Sequence, residues 1–215
     1  MKKIMFNDRF GLTQAVLNGR KTQTRRLALN VEDTQVFNLY PEDESIRKYV
    51  KDRYSRYSIG ETLAIALPYK QLKFYGVSLS EKTLLWTRHE IEPDVSIRNS
   101  PGWNNKMFVK ADLMPHQIRI TNIRLERLQD ISDEDCLAEG IRRWEDEEEY
   151  STSSSVRKSI GDLKAAGYEA YAIPGYWDCY TSPKKAYAAL IDKISGKGTW
   201  EKNPWVFVYD FELVK

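Results

Sequence analysis

The chain has 215 residues and a mass of 25.1 kDa, enough for one domain with a sizeable core, whereas two domains would each be small. Hydrophobic residues make up 41% and charged residues 30%, the balance of a soluble globular protein, and a net charge of +2 supplies no global attraction to nucleic acid. Any nucleic-acid binding must therefore rest on local charge. No apolar run could span a bilayer, and Asn7, Asp8 and Arg9 interrupt the start before the apolar stretch of a leader can form, so a cytoplasmic protein with no membrane partner is expected. Cys136 and Cys179 lack CxxC spacing, and His89 and His116 add no ligand pattern, so free thiols, no metal and no cofactor are expected.

In chain order, residues 10–18 place Phe10, Ala15, Val16 and Leu17 near helical spacing, and Gly19 can take the left-handed conformation that ends a helix. After Gly60, Leu63, Ile65 and Leu67 alternate as a strand, with Leu72 and Phe74 carrying the pattern past Pro68 into a second one. Between 117 and 128 the apolar parity passes from Ile118 and Ile120 to Ile123 and Leu125, which predicts a bulge or sheet corner at Thr121 and Asn122. Ser132 followed by Asp133, Glu134 and Asp135 opens a short helix that Gly140 closes. The acidic run 145–149 and the Ser/Thr run 151–155 read as a solvated loop. Ser182 and Pro183 open a helix with the apolar stripe Ala186, Tyr187, Leu190, Ile191 and Ile194. Alternation of Trp205, Phe207, Tyr209, Phe211 and Leu213 predicts a final strand with one apolar face.

The segment Gly19-Arg20-Lys21-Thr22-Gln23-Thr24-Arg25-Arg26 concentrates cations and hydroxyls just after the first helix. Such a cluster attracts phosphate, and Arg20, Arg25 and Arg26 lower the proton affinity of Lys21, because neighbouring positive charge disfavours the ammonium form. A lysine so placed can act as a base. The alternative is a solvated turn carrying ordinary surface cations.

Gly19, Lys21 and Arg26 fit the GxKxxxxR signature of the ASCH domains, relatives of the PUA domains, and the fuller GRKTQTRR resembles their bacterial and phage members. Leu125 to Ser132 with Ala138-Glu139-Gly140-Ile141 is similar to the family's second block, and Trp200 with Asn203-Pro204-Trp205-Val206 to its third. The blocks cover about half of the chain. The resemblance implies an α+β fold: a small PUA-like β-barrel with short helices at its openings, forming a single domain over 1–215 with elaborations at about 68–116 and 142–182. It also implies a cationic cleft that binds RNA or a modified nucleoside, with Arg20, Arg25 and Arg26 among its binding residues. Some small bacterial members hydrolyse the amide of N(4)-acetylcytidine with a Lys, a Thr and a Glu, which map onto Lys21, Thr24 and Glu139.

In that mechanism Thr24 attacks the acyl carbonyl after Lys21 accepts its proton, and Glu139 orients or protonates. A lysine base poised near neutrality needs about 5 kcal/mol of differential stabilisation from burial and neighbouring cations. Glu139 ends a helix, an unfavourable place for a carboxylate, so a cation such as Lys21 is expected beside it. Larger members carry a Leu-Trp-Val-Arg-Glu run, where this chain has Leu63-Ala64-Ile65-Ala66-Leu67, so Tyr69 or Trp86 would supply base stacking. Trp103, Tyr176, Trp177 and Tyr180 also lie in loop-like segments, whereas Trp200 and Trp205 read as core. A different class of function is a non-catalytic protein-interaction module that engages a partner through the 145–149 loop.

Overall fold

The computed structural model describes residues 1–28, 37, 39–72, 98–144, 154–176 and 178–214. Its elements run β1 (Lys3–Ile4), α1 (Leu12–Leu17), β2 (Gln23–Leu27), α2 (Glu44–Tyr54), β3 (Thr62–Ile65), α3 (Tyr69–Leu72), β4 (Gln117–Arg127), α4 (Asp133–Ala138), β5 (Arg142–Arg143), α5 (Ser154–Ala165), β6 (Tyr171–Ala172), α6 (Pro183–Ser195), α7 (Thr199–Lys202) and β7 (Trp205–Leu213), with short 3-10 turns between several of them. Five strands hydrogen-bond in the order β1-β3-β4-β7-β2, and β5 pairs with β6, a mixed architecture compatible with the α+β class. Helix starts follow side-chain caps. Asp43 accepts from the amides of Ser45 and Ile46 at α2, Ser132 from Asp135 at α4, and Ser182 from Lys185 at α6, where Pro183 occupies the first turn.

The backbone divides into two compact units, residues 1–6, 60–119 and 212–215 forming one and residues 7–59 and 120–211 the other. In the first, β1 lies parallel to β3 with Ile4 opposite Ile65, and β3 runs antiparallel to the start of β4 with Leu63 opposite Ile118. Its apolar cluster gathers Ala64, Ala66, Leu67, Tyr69, Leu72, Val109, Leu113 and Met114. The expected strand beyond Pro68 is a helical turn instead. Pro68 fixes a turn-compatible φ and its carbonyl accepts from the Gln71 amide, so Tyr69 and Leu72 reach the core from α3. Phe74 lies outside the described residues, as do Trp86, Trp177 and the whole 145–149 run.

In the second unit β2 runs antiparallel to β7, with Gln23 opposite Asp210, Thr24 opposite Tyr209 and Arg25 opposite Val208. The final strand was expected to bury one face, yet Val206 and Val208 are buried as well as Trp205, Phe207 and Tyr209. As an interior strand between β4 and β2 it is covered on both sides, and β-branched residues fill the second. Its aromatic face is held by Phe37, whose ring meets Trp205 edge-on at 4.9 Å, and by Tyr57, which meets Tyr209 edge-on at 5.1 Å. Along β4, Thr121 and Asn122 are both exposed between buried Ile120 and Ile123, so the change of parity read in the sequence is a change of burial phase in the strand.

Candidate functional site

Strand alternation sorts the cationic segment into two sets. Lys21, Gln23 and Arg25 share one parity, and all three side chains engage acids from α4, β4 or β7. Thr24 and Arg26 share the other, opposite Tyr209 and Phe207 on the aromatic face of β7. α1 sets the start of the segment, for after Gly19, at φ 71°, the amides of Arg20 and Lys21 both donate to the Ala15 carbonyl.

Lys21 is 2% exposed and its amine lies 2.5 Å from Glu139 Oε2. The same amine donates to the Glu139 carbonyl at 2.8 Å, filling one of the acceptors that the end of α4 leaves without an intrahelical partner. Gly140 follows at φ 105°, and a Cβ there would stand 3.2 Å from Leu12 Cδ2 and 3.7 Å from Lys21 Cδ. The chain therefore turns away from α4 at a residue that leaves room for the lysine stem.

Arg25 has no exposed side-chain surface and binds three acids: Glu126 at 2.6 Å, Asp135 at 2.7 Å and Glu139 Oε1 at 3.4 Å. It also donates to the Gln23 side-chain oxygen Oε1, while Gln23 Nε2 donates to Asp135 at 3.1 Å and to Asp210 at 2.6 Å. Arg124 closes the array with Asp135 and Asp210, each at 3.1 Å. Lys21, Arg25 and Arg124 thus face Glu126, Asp135, Glu139 and Asp210, three cations against four carboxylates. The concentration of positive charge read in the sequence is largely neutralised. Arg26 is exposed and Arg20 partly so.

Burial pushes the Lys21 amine below its ordinary value of 10.5; Glu139 opposes the shift, and Arg26 and Arg25 reinforce it. Arg25 goes the other way, because burial is outweighed by Glu139, Asp135 and Glu126, and its guanidinium stays charged at every accessible pH. The lowered lysine has a consequence for stability. Between its folded value and 10.5 the unfolded chain binds the extra proton, so this group makes the fold more stable as pH rises. Urea unfolding of the wild type and Lys21→Met at successive pH values up to about 10.5 should show the wild type gaining on the variant; a flat difference would contradict the shift.

Thr24 is buried at 4% exposure, but no hydrogen bond joins it to Lys21 or Glu139 among the described residues, and its parity directs it to the other face of β2. The structure thus joins Lys21 directly to Glu139 and adds Arg25 beside them. Tyr69 does not offer an open ring for stacking. It is 7% exposed in the first unit's cluster, its ring packs where a Cβ on Gly102 would lie 2.5 Å away, and its hydroxyl accepts from the Lys110 amide. Trp103 is partly buried against the same cluster, and Trp200 is partly buried edge-on to Tyr187. Glu126, Asp135, Asp210, Arg124 and Gln23 were not singled out from the sequence. The usable signals were the shared parity of Gln23 and Arg25 and the four-residue spacing of Asp135 and Glu139 on α4.

Among the described residues no group of three His, Cys, Asp or Glu is placed to hold a metal ion, and no helix is long and apolar enough to cross a membrane. Burial pushes the thiol of Cys136, the buried residue of α4, up to about 12. No protein-family model, curated protein or solved structure matches this chain.

Proposed function

We propose that this chain is an ASCH-type, PUA-like module that recognises a modified nucleoside, free or within RNA, at the Lys21–Arg25–Glu139 centre. The observation that carries the reading is the buried contact of 2.5 Å between Lys21 and Glu139, residues 118 positions apart that belong to two separate blocks of the family resemblance. The chemistry suits a cytosine-type edge. A carboxylate accepts from an exocyclic N–H, while ammonium and guanidinium groups donate to a ring nitrogen or a carbonyl oxygen. Since acids already tie Lys21 and Arg25, the base rather than the phosphate is the expected object of recognition.

Calorimetric titration with N(4)-acetylcytidine, cytidine and a short single-stranded RNA tests the reading. The wild type should bind the acetylated nucleoside, and Glu139→Gln should weaken it by about 1.5–3 kcal/mol, the worth of a hydrogen bond to a charged acceptor. Absence of binding to all three at low salt would sink the proposal.

The downward shift of Lys21 favours a second reading, that the site hydrolyses the acyl amide. Neutral Lys21 would take a proton from the nucleophile as it attacks the acyl carbon. The C–N bond would then break, and the ammonium would return the proton to the leaving nitrogen, giving a carboxylic acid and the free base. With Thr24 on the other face of β2, water is the nucleophile we assign.

A further inference from the structure

Arg9, in the short turn before α1, and Lys193, in the last turn of α6, bring their charges to one ring. The Arg9 guanidinium carbon lies 5.9 Å from the centroid of Tyr176, and Lys193 Nζ lies 4.5 Å from it. Both cations are exposed, and among the described residues neither side chain meets a carboxylate or another hydrogen-bond acceptor. The acids beside them in sequence are engaged elsewhere: Asp8 accepts from the Thr13 hydroxyl, and Asp192 accepts from the amides of Gly198 and Trp200. Lys21, Arg25 and Arg124 are neutralised within the fold, whereas this pair is not. The ring between them is held in place. Tyr176 is half-buried and stacks on buried Phe10, with centroids 5.3 Å apart and planes at 29°, so Phe10 backs it from the inside. The Tyr176 amide donates to the Ile173 carbonyl at 3.0 Å, closing a turn, and Gly175, at φ 77°, comes so near the preceding segment that a Cβ would stand 3.2 Å from the Arg9 carbonyl oxygen.

We infer that Arg9, Tyr176 and Lys193 form a contact surface for single-stranded nucleic acid, with the cations on phosphates and the ring beneath a base. Unneutralised cations around an aromatic ring suit such a strand, because every base offers a face to stack and every linkage a negative charge. A single strand rather than a duplex is specified, since a base inside a duplex already stacks on its neighbours. An acidic peptide would use the cations and leave the ring idle. Lys193 carries its charge on a flexible stem, so it moves from the ring to a phosphate as a base arrives. This surface needs no modified base and no part of the Lys21–Arg25–Glu139 centre, so it stands or falls apart from the nucleoside reading.

Fluorescence anisotropy with a short, labelled, unmodified strand, prepared as RNA and as DNA and titrated over a range of salt, tests the surface. The wild type should bind at low salt, and binding of either strand with the responses below supports the inference. Replacing Arg9 and Lys193 together by Ala should reduce the slope of log affinity against log salt by about 1.4, two phosphates at roughly 0.7 each. Lys48→Ala with Lys158→Ala removes the same charge from exposed positions on α2 and α5 and should leave the slope unchanged. Tyr176→Leu should weaken binding about five- to 150-fold, and Tyr176→Phe, which keeps the ring, should bind as the wild type does. Urea midpoints show which variants fold, and the exposed pair keeps the test decisive even where Tyr176→Leu does not. A wild type that binds neither strand overturns the inference, as does a control pair that lowers the slope as much as the Arg9 and Lys193 pair. A folded Tyr176→Leu that binds undiminished would make this a surface for any polyanion, acidic peptides included, and would overturn it too.

Discussion

Arg25→Ala is expected to cost about 3–5 kcal/mol of folding stability, the usual result of removing one partner from a buried ionic cluster. The guanidinium has no solvent exposure and neutralises Glu126, Asp135 and Glu139, whose side chains are 20%, 26% and 6% exposed. Without it, Glu139 keeps Lys21 as its cation among the described residues, and Gln23 loses the donor to its Oε1. Glu126 and Asp135 can turn part of their charge to water, whereas Glu139 cannot, so most of the penalty falls on Glu139. Urea unfolding checks this directly. Adding Glu139→Gln to Arg25→Ala should recover part of the loss, because the stranded charge is removed; a double variant that merely sums the two single effects would show that the residues do not act as a unit.

The second large effect concerns chemistry. If the site hydrolyses N(4)-acetylcytidine, Lys21→Ala should reduce kcat/KM by about 100- to 10,000-fold, the contribution of a positioned general base, and Thr24→Ala should leave most of the turnover in place. The contrast follows from parity. Lys21 shares the face of Gln23 and Arg25, and Thr24 stands opposite Tyr209. Release of acetate measured for the three proteins decides it. Loss of turnover in Thr24→Ala, with its fold intact, would return the nucleophile to the hydroxyl that the motif resemblance indicates. Lys21→Met keeps the volume without the amine and separates loss of base from loss of packing.

What was legible in the sequence was local. Gly19 after Val16 and Leu17, the Ser132 cap with its acids, the Ser182-Pro183 start and the alternation from Trp205 each record a choice made within a few residues, and each element appears where its signal stands. The α2 helix went unread although Asp43 caps it, because only Val50 of its residues is fully buried and its apolar periodicity is weak. The turn at Tyr69 was misread because alternation past Pro68 suits a strand as well as a half-buried helical turn. In the site, two motif blocks brought forward Lys21 and Glu139, but no local pattern announces that Arg25 meets Glu126 and Asp135, contacts spanning 101 and 110 residues. The acids that pair with Lys21 and Arg25 are equally illegible locally, since adjacent cations in a sequence look like a positive patch until their distant acids are placed.

Those long spans bear on how the protein is made. A chain synthesised from its N-terminus displays Arg20, Lys21, Arg25 and Arg26 well before Glu126, Asp135, Glu139 and Asp210 exist to receive them, and β2 waits for β7, the last strand, to pair. At about 5–20 residues per second the interval lasts roughly ten seconds or more. During that time the nascent protein carries its basic tract without the acids that pair with it in the finished fold.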